Sequence, residues 1–207
     1  MKKIGNKNIE EVLINGLKKL EYRGYDSAGI AIRNNKRIRI TKSVGKIKEL
    51  EEKLKNEKSE NDLFGIGHTR WATHGKVTEL NSHPHQVGKI TIVHNGIIEN
   101  YKELEKELIK KGYKFKTETD TERLAALIDY FYKKNNQIQA IEKSMELVKG
   151  SFAILIMFEN DDKYIYGVKK DAPLILGIGE NENFLASDIS AILPYTKKYI
   201  IWQNSRK

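Results

Sequence analysis

One glycine-bounded stretch concentrates side chains that could bind a small polar molecule. Residues 67–75 read GHTRWATHG and place an arginine next to a tryptophan. The guanidinium of Arg70 is a planar fork that can hold a carboxylate with two hydrogen bonds, and Trp71 offers an aromatic wall beside it. Surface loops are often polar, but this combination is typical of a binding loop. We therefore predict a ligand site here, anchored by a strand over the apolar run 63–66.

A second candidate lies at the end of another apolar run. Residues 90–93 predict a strand that stops at His94, and the pair Asn95-Gly96 then predicts a sharp turn. Glycine tolerates φ > 0, so the backbone N–H groups at such a turn would be free to face a ligand.

The histidines raise a metal site as an alternative. All five fall within or just after the first stretch: His68, His74, His83, His85 and His94. His83 and His85 have the spacing of a His-x-His zinc pair, with a third ligand to come from another histidine. No carboxylate lies at helical spacing from them to complete a catalytic site, so we expect no metal.

Composition limits the classes of function. The 207 residues suit one domain spanning 1–207, and a net charge of +9 raises nucleic acid as a partner. Lysines alternate with glutamates in 46–58 and 101–111, as on solvated helix faces, so nucleic-acid binding is the weaker alternative. No apolar run is long enough to span a membrane, and the first residues lack a signal peptide's apolar core, so we expect a cytoplasmic protein. The absence of cysteine excludes disulfides, thiolate metal sites and a cysteine nucleophile among these residues.

Apolar periodicity predicts the elements that would position these residues. Helical spacing predicts helices at 9–21, 47–54, 97–108, 119–131 and 138–148. Short or alternating apolar runs predict strands at 27–32, 38–40, 63–66, 90–93, 152–158, 164–168, 174–178, 184–186 and 199–202. Thr119 and Glu122 have the spacing of a capping box, and Gly150 suits the C′ position of the last helix. Helices in mid-chain with strands on both sides predict an α+β sandwich of two facing antiparallel sheets under outer helices.

Five motifs occur in one order: EYRGYDSAG (21–29), GHTRWATHG (67–75), HPH (83–85), HNGIIEN (94–100) and TETDTE (117–122). Together they resemble the glutaminase domain of the glutamine–fructose-6-phosphate aminotransferase family, whose members are type-2 glutamine amidotransferases of amino-sugar synthesis. The resemblance extends over nearly the whole chain. It implies the N-terminal-nucleophile hydrolase fold, a four-layer αββα sandwich. It also implies hydrolysis of L-glutamine to glutamate, without a cofactor, and transfer of the ammonia to a sugar-isomerase domain.

Residue by residue, the resemblance implies a divided substrate site. Arg70 would hold the α-carboxylate of glutamine, and Asp120 its α-ammonium group. Asn95, through its side-chain N–H, and Gly96, through its backbone N–H, would form the oxyanion hole. The resemblance also implies that Trp71, Thr73 and His74 line and close the site, with Trp71 gating ammonia. Arg23, Gly24 and His83 would support the site from behind.

The sequence departs from the family at the nucleophile. In the family an N-terminal cysteine in a Cys-Gly-Ile-Val-Gly strand attacks the amide and its own α-amine acts as base, and no cysteine occurs here. Lys2 and Lys3 stand where that strand would be apolar, and the chain stops before the family's last strands, so we expect a domain truncated at both ends, without the sugar-isomerase domains. We favour a related but inactive glutaminase domain. The alternative is a pseudoenzyme that binds glutamine as a sensor or partner module.

Overall fold

A computed structural model describes residues 8–35, 37–57, 62–71 and 75–202. Its helices are α1 (Ile9–Leu20), α2 (Ile47–Leu54), α3 (Tyr101–Lys110), α4 (Asp120–Tyr132) and α5 (Gln137–Leu147). Its strands are β1 (Ser27–Asn34), β2 (Ile38–Val44), β3 (Asp62–Arg70), β4 (His85–Val87), β5 (Ile90–Ile98), β6 (Gly150–Phe158), β7 (Tyr166–Lys170), β8 (Ile175–Ile178), β9 (Asn183–Ala186) and β10 (Tyr199–Ile201). Within the described ranges, no helix is both long and apolar enough to cross a membrane.

Polar side chains set the starts of the helices that flank the sandwich. The Asn8 side chain caps α1 by accepting the Glu10 N–H at 3.0 Å, as its position ahead of the apolar pattern predicts. Asn136 and Gln139 form a reciprocal capping box at the start of α5. These local bonds satisfy amide groups that no helical carbonyl can reach.

The strands assemble into three antiparallel sheets. Sheet A has the order β2-β1-β3, sheet B the order β4-β5-β6-β7, and sheet C the order β10-β8-β9. β1 and β2 form the predicted hairpin, and β1 also pairs with β3. β5 pairs with β6 along its whole length. Sheets A and B are the two facing sheets that the sequence predicts, whereas the separate sheet C was not foreseen.

Three apolar cores separate four layers. The first core, with Leu17 and Leu50, lies between the helices α1 and α2 and sheet A. The second, with Ile66, Val93 and Met157, lies between sheets A and B. The third packs sheet B against α3, α4 and α5. β5 is covered on both faces, because Ile90 and Ile92 pack in the third core and Val93 packs in the second. The αββα architecture is therefore confirmed.

Two predicted boundaries were wrong where the site residues lie. β3 continues to Arg70, so residues 67–70 belong to a strand and only the residues after them leave the sheet. β5 continues to Ile98, so Asn95 and Gly96 lie inside a paired strand and form no sharp turn. In both cases pairing with a neighbouring strand extends the element past the point where local sequence predicts an end.

Predictions at the helix ends also need correction. α3 begins only at Tyr101, because the preceding isoleucines complete β5. Gly150 opens β6, with φ of +133°, and does not cap α5. At α4 the Thr119 side chain accepts the Glu122 N–H as predicted, but the Glu122 carboxylate instead accepts N–H groups of residues 116 and 117. The predicted capping box is thus half formed.

Candidate functional site

The predicted contact residues converge at one end of the interface between sheets A and B. Arg70 is the last residue of β3, Asn95 and Gly96 lie near the end of β5, and Asp120 is the first residue of α4. The N–H of Ile98 donates to Asp120 Oδ2 at 2.8 Å, which fixes the start of α4 to β5. Three elements that are distant in sequence therefore present their polar groups to one place.

Arg70 is buried, with 4% of its surface exposed. Burial lowers the pKa of its guanidinium, while the negative charges of Asp26 and Asp120 oppose that shift. Its Nη1 and Nη2 atoms donate to the carbonyls of Lys76 and Gly75 at 3.3 and 3.4 Å. These contacts are long, and a carboxylate offering charge-assisted bonds of about 2.8 Å would compete with them.

The segment that begins at Gly75 is held by a carboxylate that the sequence did not single out. Glu118 Oε2 accepts the Lys76 N–H at 3.0 Å and the Asn81 side-chain amide at 2.9 Å, and Asn81 Oδ1 accepts the Glu118 N–H. These bonds, led by the one from Lys76, lower the pKa of Glu118. The only signal for Glu118 was its place in the TETDTE motif, and Asn81 offered none.

A second supporting residue that the sequence missed is a lysine on β2. Lys42 Nζ donates to the Ser82 carbonyl at 2.6 Å, immediately before the HPH motif. Burial lowers the pKa of Lys42 to about 8, against the opposing charges of Glu122 and Glu79. Lys42 thus ties sheet A to the segment that carries His83.

Gly96 has a backbone conformation that requires glycine. Its φ is +119°, and a Cβ atom there would lie 2.1 Å from the Ser151 carbonyl oxygen. The predicted tolerance of φ > 0 is therefore confirmed, although in a strand and not in a turn. The neighbouring Asn95 is half-buried, and its Oδ1 lies 2.8 Å from His68 Nε2. The Asn95 carboxamide can thus present its NH₂ group elsewhere.

Asp120 is a buried carboxylic acid side chain at a helix start. It is 6% exposed, and its Oδ1 accepts the hydroxyl of Thr121 at 3.3 Å while Oδ2 accepts the Ile98 N–H. A carboxylate offers about four acceptor positions, so capacity remains for an ammonium group. The N-terminal end of a helix also favours a negative charge.

Four histidines form a cluster behind these groups. The hydroxyl of Thr121 lies 2.9 Å from His83 Nε2 and 3.1 Å from His94 Nδ1, and the rings of His68 and His83 stack with centroids 4.2 Å apart. Burial lowers the pKa of His68 to about 4 and those of His83 and His85 well below their usual value. These three rings are therefore uncharged at neutral pH, and His83 contacts both His68 and Thr121.

The zinc alternative gains no support from this cluster. Among the described residues, no three His, Asp or Glu side chains converge as metal ligands would. His83 and His85 pack edge to face and bond to different threonines, Thr121 and Thr119. His74 lies outside the described residues.

The predicted rim is described only in part. Trp71 is 56% exposed and contacts Tyr25 edge to face, with ring centroids 5.2 Å apart. Trp71 follows directly after Arg70, the last residue of β3. Thr73 and His74, predicted to line the site, lie outside the described residues.

The two residues from the tyrosine-rich motif lie in different surroundings. Gly24 packs so closely on β3 that a Cβ atom would lie 2.9 Å from the Thr69 carbonyl oxygen, next to Arg70. Arg23 instead points to the C-terminal part of the chain, where Nη2 donates to Ser187 Oγ at 2.5 Å. Through its contact with β3, Gly24 thus adjoins Arg70, which together with Asp120 is the predicted clamp for the amino-acid end of the ligand. The contacts of Arg23 instead join it to the turn after β9.

An apolar cavity adjoins the polar site. Its volume is about 500 Å³, and it is bounded by α1 and β3 on one side and by β8 and β9 on another, with His68 and Asn95 at its polar end. β3 is the edge strand of sheet A among the described residues, and its residues 63–68 line this space. The cavity has room for additional chain next to the candidate site.

Sequence comparisons agree with this geometry. Residues 68–194, more than half of the chain, match the family model for a glutamine amidotransferase domain. The chain is 50% identical over 204 residues to glutamine–fructose-6-phosphate aminotransferase (isomerizing) of Clostridium tetani, covering 97% of this chain and 33% of that protein. The enzyme of the same name from Aquifex aeolicus is 50% identical over 194 residues, with coverages of 92% and 32%. The chain thus spans about a third of the length of these curated relatives.

Solved structures show the same fold. Glutamine phosphoribosylpyrophosphate amidotransferase from B. subtilis, complexed with ADP and GMP, superposes with a TM-score of 0.76 at 26% identity, over 95% of this chain and 43% of that chain. A structure described as the allosteric regulatory enzyme of purine biosynthesis gives a TM-score of 0.78 at 27% identity, over 92% and 42%. Together with the family match, these findings show that the chain belongs to the glutamine amidotransferase domain family.

Proposed function

We propose that this chain binds L-glutamine as the glutaminase domain of a glutamine–fructose-6-phosphate aminotransferase, working with a sugar-isomerase domain that would receive the ammonia. The observation that supports the proposal is that Asp120, whose charge acts on Arg70, accepts the N–H of Ile98, two residues beyond Gly96 on β5. This arrangement offers a single ligand one cation, one anion and two N–H donors, the side-chain amide of Asn95 and the backbone amide of Gly96. A free amino acid with a side-chain amide has the complementary groups.

Each end of glutamine has a partner of suitable chemistry. The Arg70 fork would take the α-carboxylate, and the spare acceptor positions of Asp120 would take the α-ammonium group. The side-chain carbonyl of glutamine would then lie against the Asn95 NH₂ group and the Gly96 N–H, which stabilise negative charge on that oxygen during attack. Trp71 at the rim would cover the bound ligand.

Hydrolysis needs a nucleophile that these residues do not contain. The sequence has no cysteine, and a cysteine with a free α-amine is the attacking group of the family to which the motifs point. We therefore propose that the 207 residues alone bind glutamine without turning it over. This property also suits the alternative role of a glutamine-binding sensor or partner module.

Calorimetry with glutamine tests the binding proposal. Arg70→Ala should weaken binding by about 2–5 kcal/mol, because the ligand carboxylate is buried without its partner, and Arg70→Lys should restore only part of the loss. Arg39→Ala is the matched control, because Arg39 pairs with Glu10 and Glu57 far from the site. Equal binding by the wild type and Arg70→Ala would refute the clamp.

A gain of function tests the role of the missing thiol. Placing Met-Cys-Gly-Ile-Val-Gly in front of α1 supplies an apolar strand and, after removal of methionine, an N-terminal cysteine. The cavity beside β3 has room for such a strand. We expect glutamate release above that of the unmodified chain, which should match a buffer control. Turnover by the unmodified chain would refute the proposed lack of hydrolysis.

A further inference from the structure

One contact between the two central sheets is not accounted for by the clamp or the oxyanion hole. His68 lies on β3 in sheet A, and Asn95 lies on β5 in sheet B. Their side chains meet with Nε2 of the ring 2.8 Å from Oδ1 of the amide. This is a hydrogen bond across the sheet interface, made to a group proposed to touch the ligand.

The direction of this bond follows from what each atom can do. An asparagine side chain has an acceptor oxygen on one side and a donor NH₂ on the other, and a flip exchanges them. His68 Nδ1 is buried and makes no hydrogen bond within the described part of the chain, although the backbone carbonyl of His94 near the ring partly opposes the lowering of its pKa. A proton on Nδ1 would be a buried donor without a hydrogen bond, so the neutral ring carries its proton on Nε2 and donates it to Asn95 Oδ1.

The ring itself is fixed from behind. It stacks on His83, tilted by 37°, and His83 Nε2 bonds to the hydroxyl of Thr121. The Thr121 hydroxyl has a single proton, which it donates to Asp120 Oδ1. The hydroxyl oxygen must therefore accept its bond with His83, so His83 Nε2 is the donor. The same chain of contacts thus runs from Asp120 to Asn95.

We propose that His68 is a positioning residue that sets the rotation of the Asn95 carboxamide, so that its NH₂ group faces the side-chain carbonyl of a bound glutamine. This inference rests on the proposed glutamine-binding function. His68 touches no ligand atom in this scheme and acts only through Asn95. A neutral ring suits the role, because it offers Asn95 one defined donor.

Paired ligands separate this role from a general structural one. Glutamine offers a side-chain carbonyl, whereas 2-aminopentanoate has the same α-carboxylate and α-ammonium groups and no carbonyl on its side chain. His68→Leu should weaken glutamine binding about 3- to 10-fold, the value of one hydrogen bond, and leave 2-aminopentanoate binding unchanged. His68→Gln keeps a donor near the position of Nε2 and should preserve the ratio of the two affinities within about twofold. His85→Leu removes a neighbouring ring that bonds to Thr119 and should not change this ratio.

A measurement on the unaltered protein covers the case in which His68→Leu fails to fold. NMR of ¹⁵N-histidine-labelled wild type reports the tautomer directly, and we expect the proton of His68 on Nε2. A proton on Nδ1, or an unchanged affinity ratio in folded His68→Leu, would overturn the proposal. If wild type with the expected tautomer bound neither ligand, the glutamine-binding function would fail while the bond between His68 and Asn95 would stand.

Discussion

Two regions of the molecule meet at His68 and Asn95. We call the one between β5 and α4 the polar centre and the one between α1 and sheet C the apolar region. The two regions differ in how completely side chains fill them. In the polar centre the single hydroxyl of Thr121 contacts two histidines and Asp120. The apolar region contains a cavity of about 500 Å³. Asp120 and the two histidines are therefore held in place before a ligand binds, which reduces the ordering cost of binding. The side chains around the cavity lack packing contacts that they would make in a filled core.

The largest expected effect comes from crowding the polar centre. Gly96→Ala places a Cβ atom 2.1 Å from the Ser151 carbonyl oxygen at φ of +119°. Strain and overpacking together should lower the free energy of unfolding by about 4 kcal/mol, measured by urea denaturation. Gly112→Ala is the control, because φ is +89° there and no atom lies within 4 Å of the added Cβ. It should cost only about 1 kcal/mol, and equal losses would contradict the tight packing described at Gly96.

The next effect tests whether the polar network stabilises the fold. Thr121→Val keeps the shape of the side chain but removes the hydroxyl that forms hydrogen bonds with His83 and His94. We expect a loss of about 3 kcal/mol in unfolding free energy, since each buried group that loses its partner costs about 1–3 kcal/mol. Thr91→Val is the matched control, because Thr91 is fully buried and its hydroxyl has no partner among the described residues. That change should be neutral or stabilising by up to about 1 kcal/mol.

A pH series examines the same centre through His68. Burial lowers the pKa of this ring from 6.5 to about 4, so the unfolded chain binds the proton more readily than the folded one. Its contribution to stability is complete above pH 6.5 and is lost progressively as the pH falls toward 4. Between pH 7 and pH 5 this ring should account for a loss of about 2 kcal/mol. His68→Gln should flatten the curve by that amount, and an unchanged slope would show that the folded ring titrates normally.

Local sequence predicted the elements better than the contacts that join them. Apolar periodicity predicted all five described helices, whereas the roles of Arg70, Asn95, Gly96 and Asp120 come from the family resemblance of the motifs and stay predictions. The predicted turn at Asn95-Gly96 was wrong because pairing with β6 continues the strand, and no local pattern reveals that partner. The bond between Glu118 and Asn81 also joins positions 37 residues apart. Such contacts depend on how the layers meet, and spacing along one element carries no information about them.

The smallest effect comes from the apolar region, where added volume should help. Gly16 lies within α1 and lines the cavity, and apart from the backbone of α1 the only described atom within 4 Å of a Cβ built there is Ala191 Cβ at 3.9 Å. Gly16→Ala should therefore raise the unfolding free energy by about 1 kcal/mol, because alanine favours the helix and makes new contacts without a clash. Asn15→Ala, at an exposed position of the same helix, reports helix propensity alone and should give roughly 0.6 kcal/mol. If Gly16→Ala lowered stability in urea denaturation, α1 would pack against the turn after β9 as tightly as the polar centre packs around Gly96, and the contrast between the two regions would disappear.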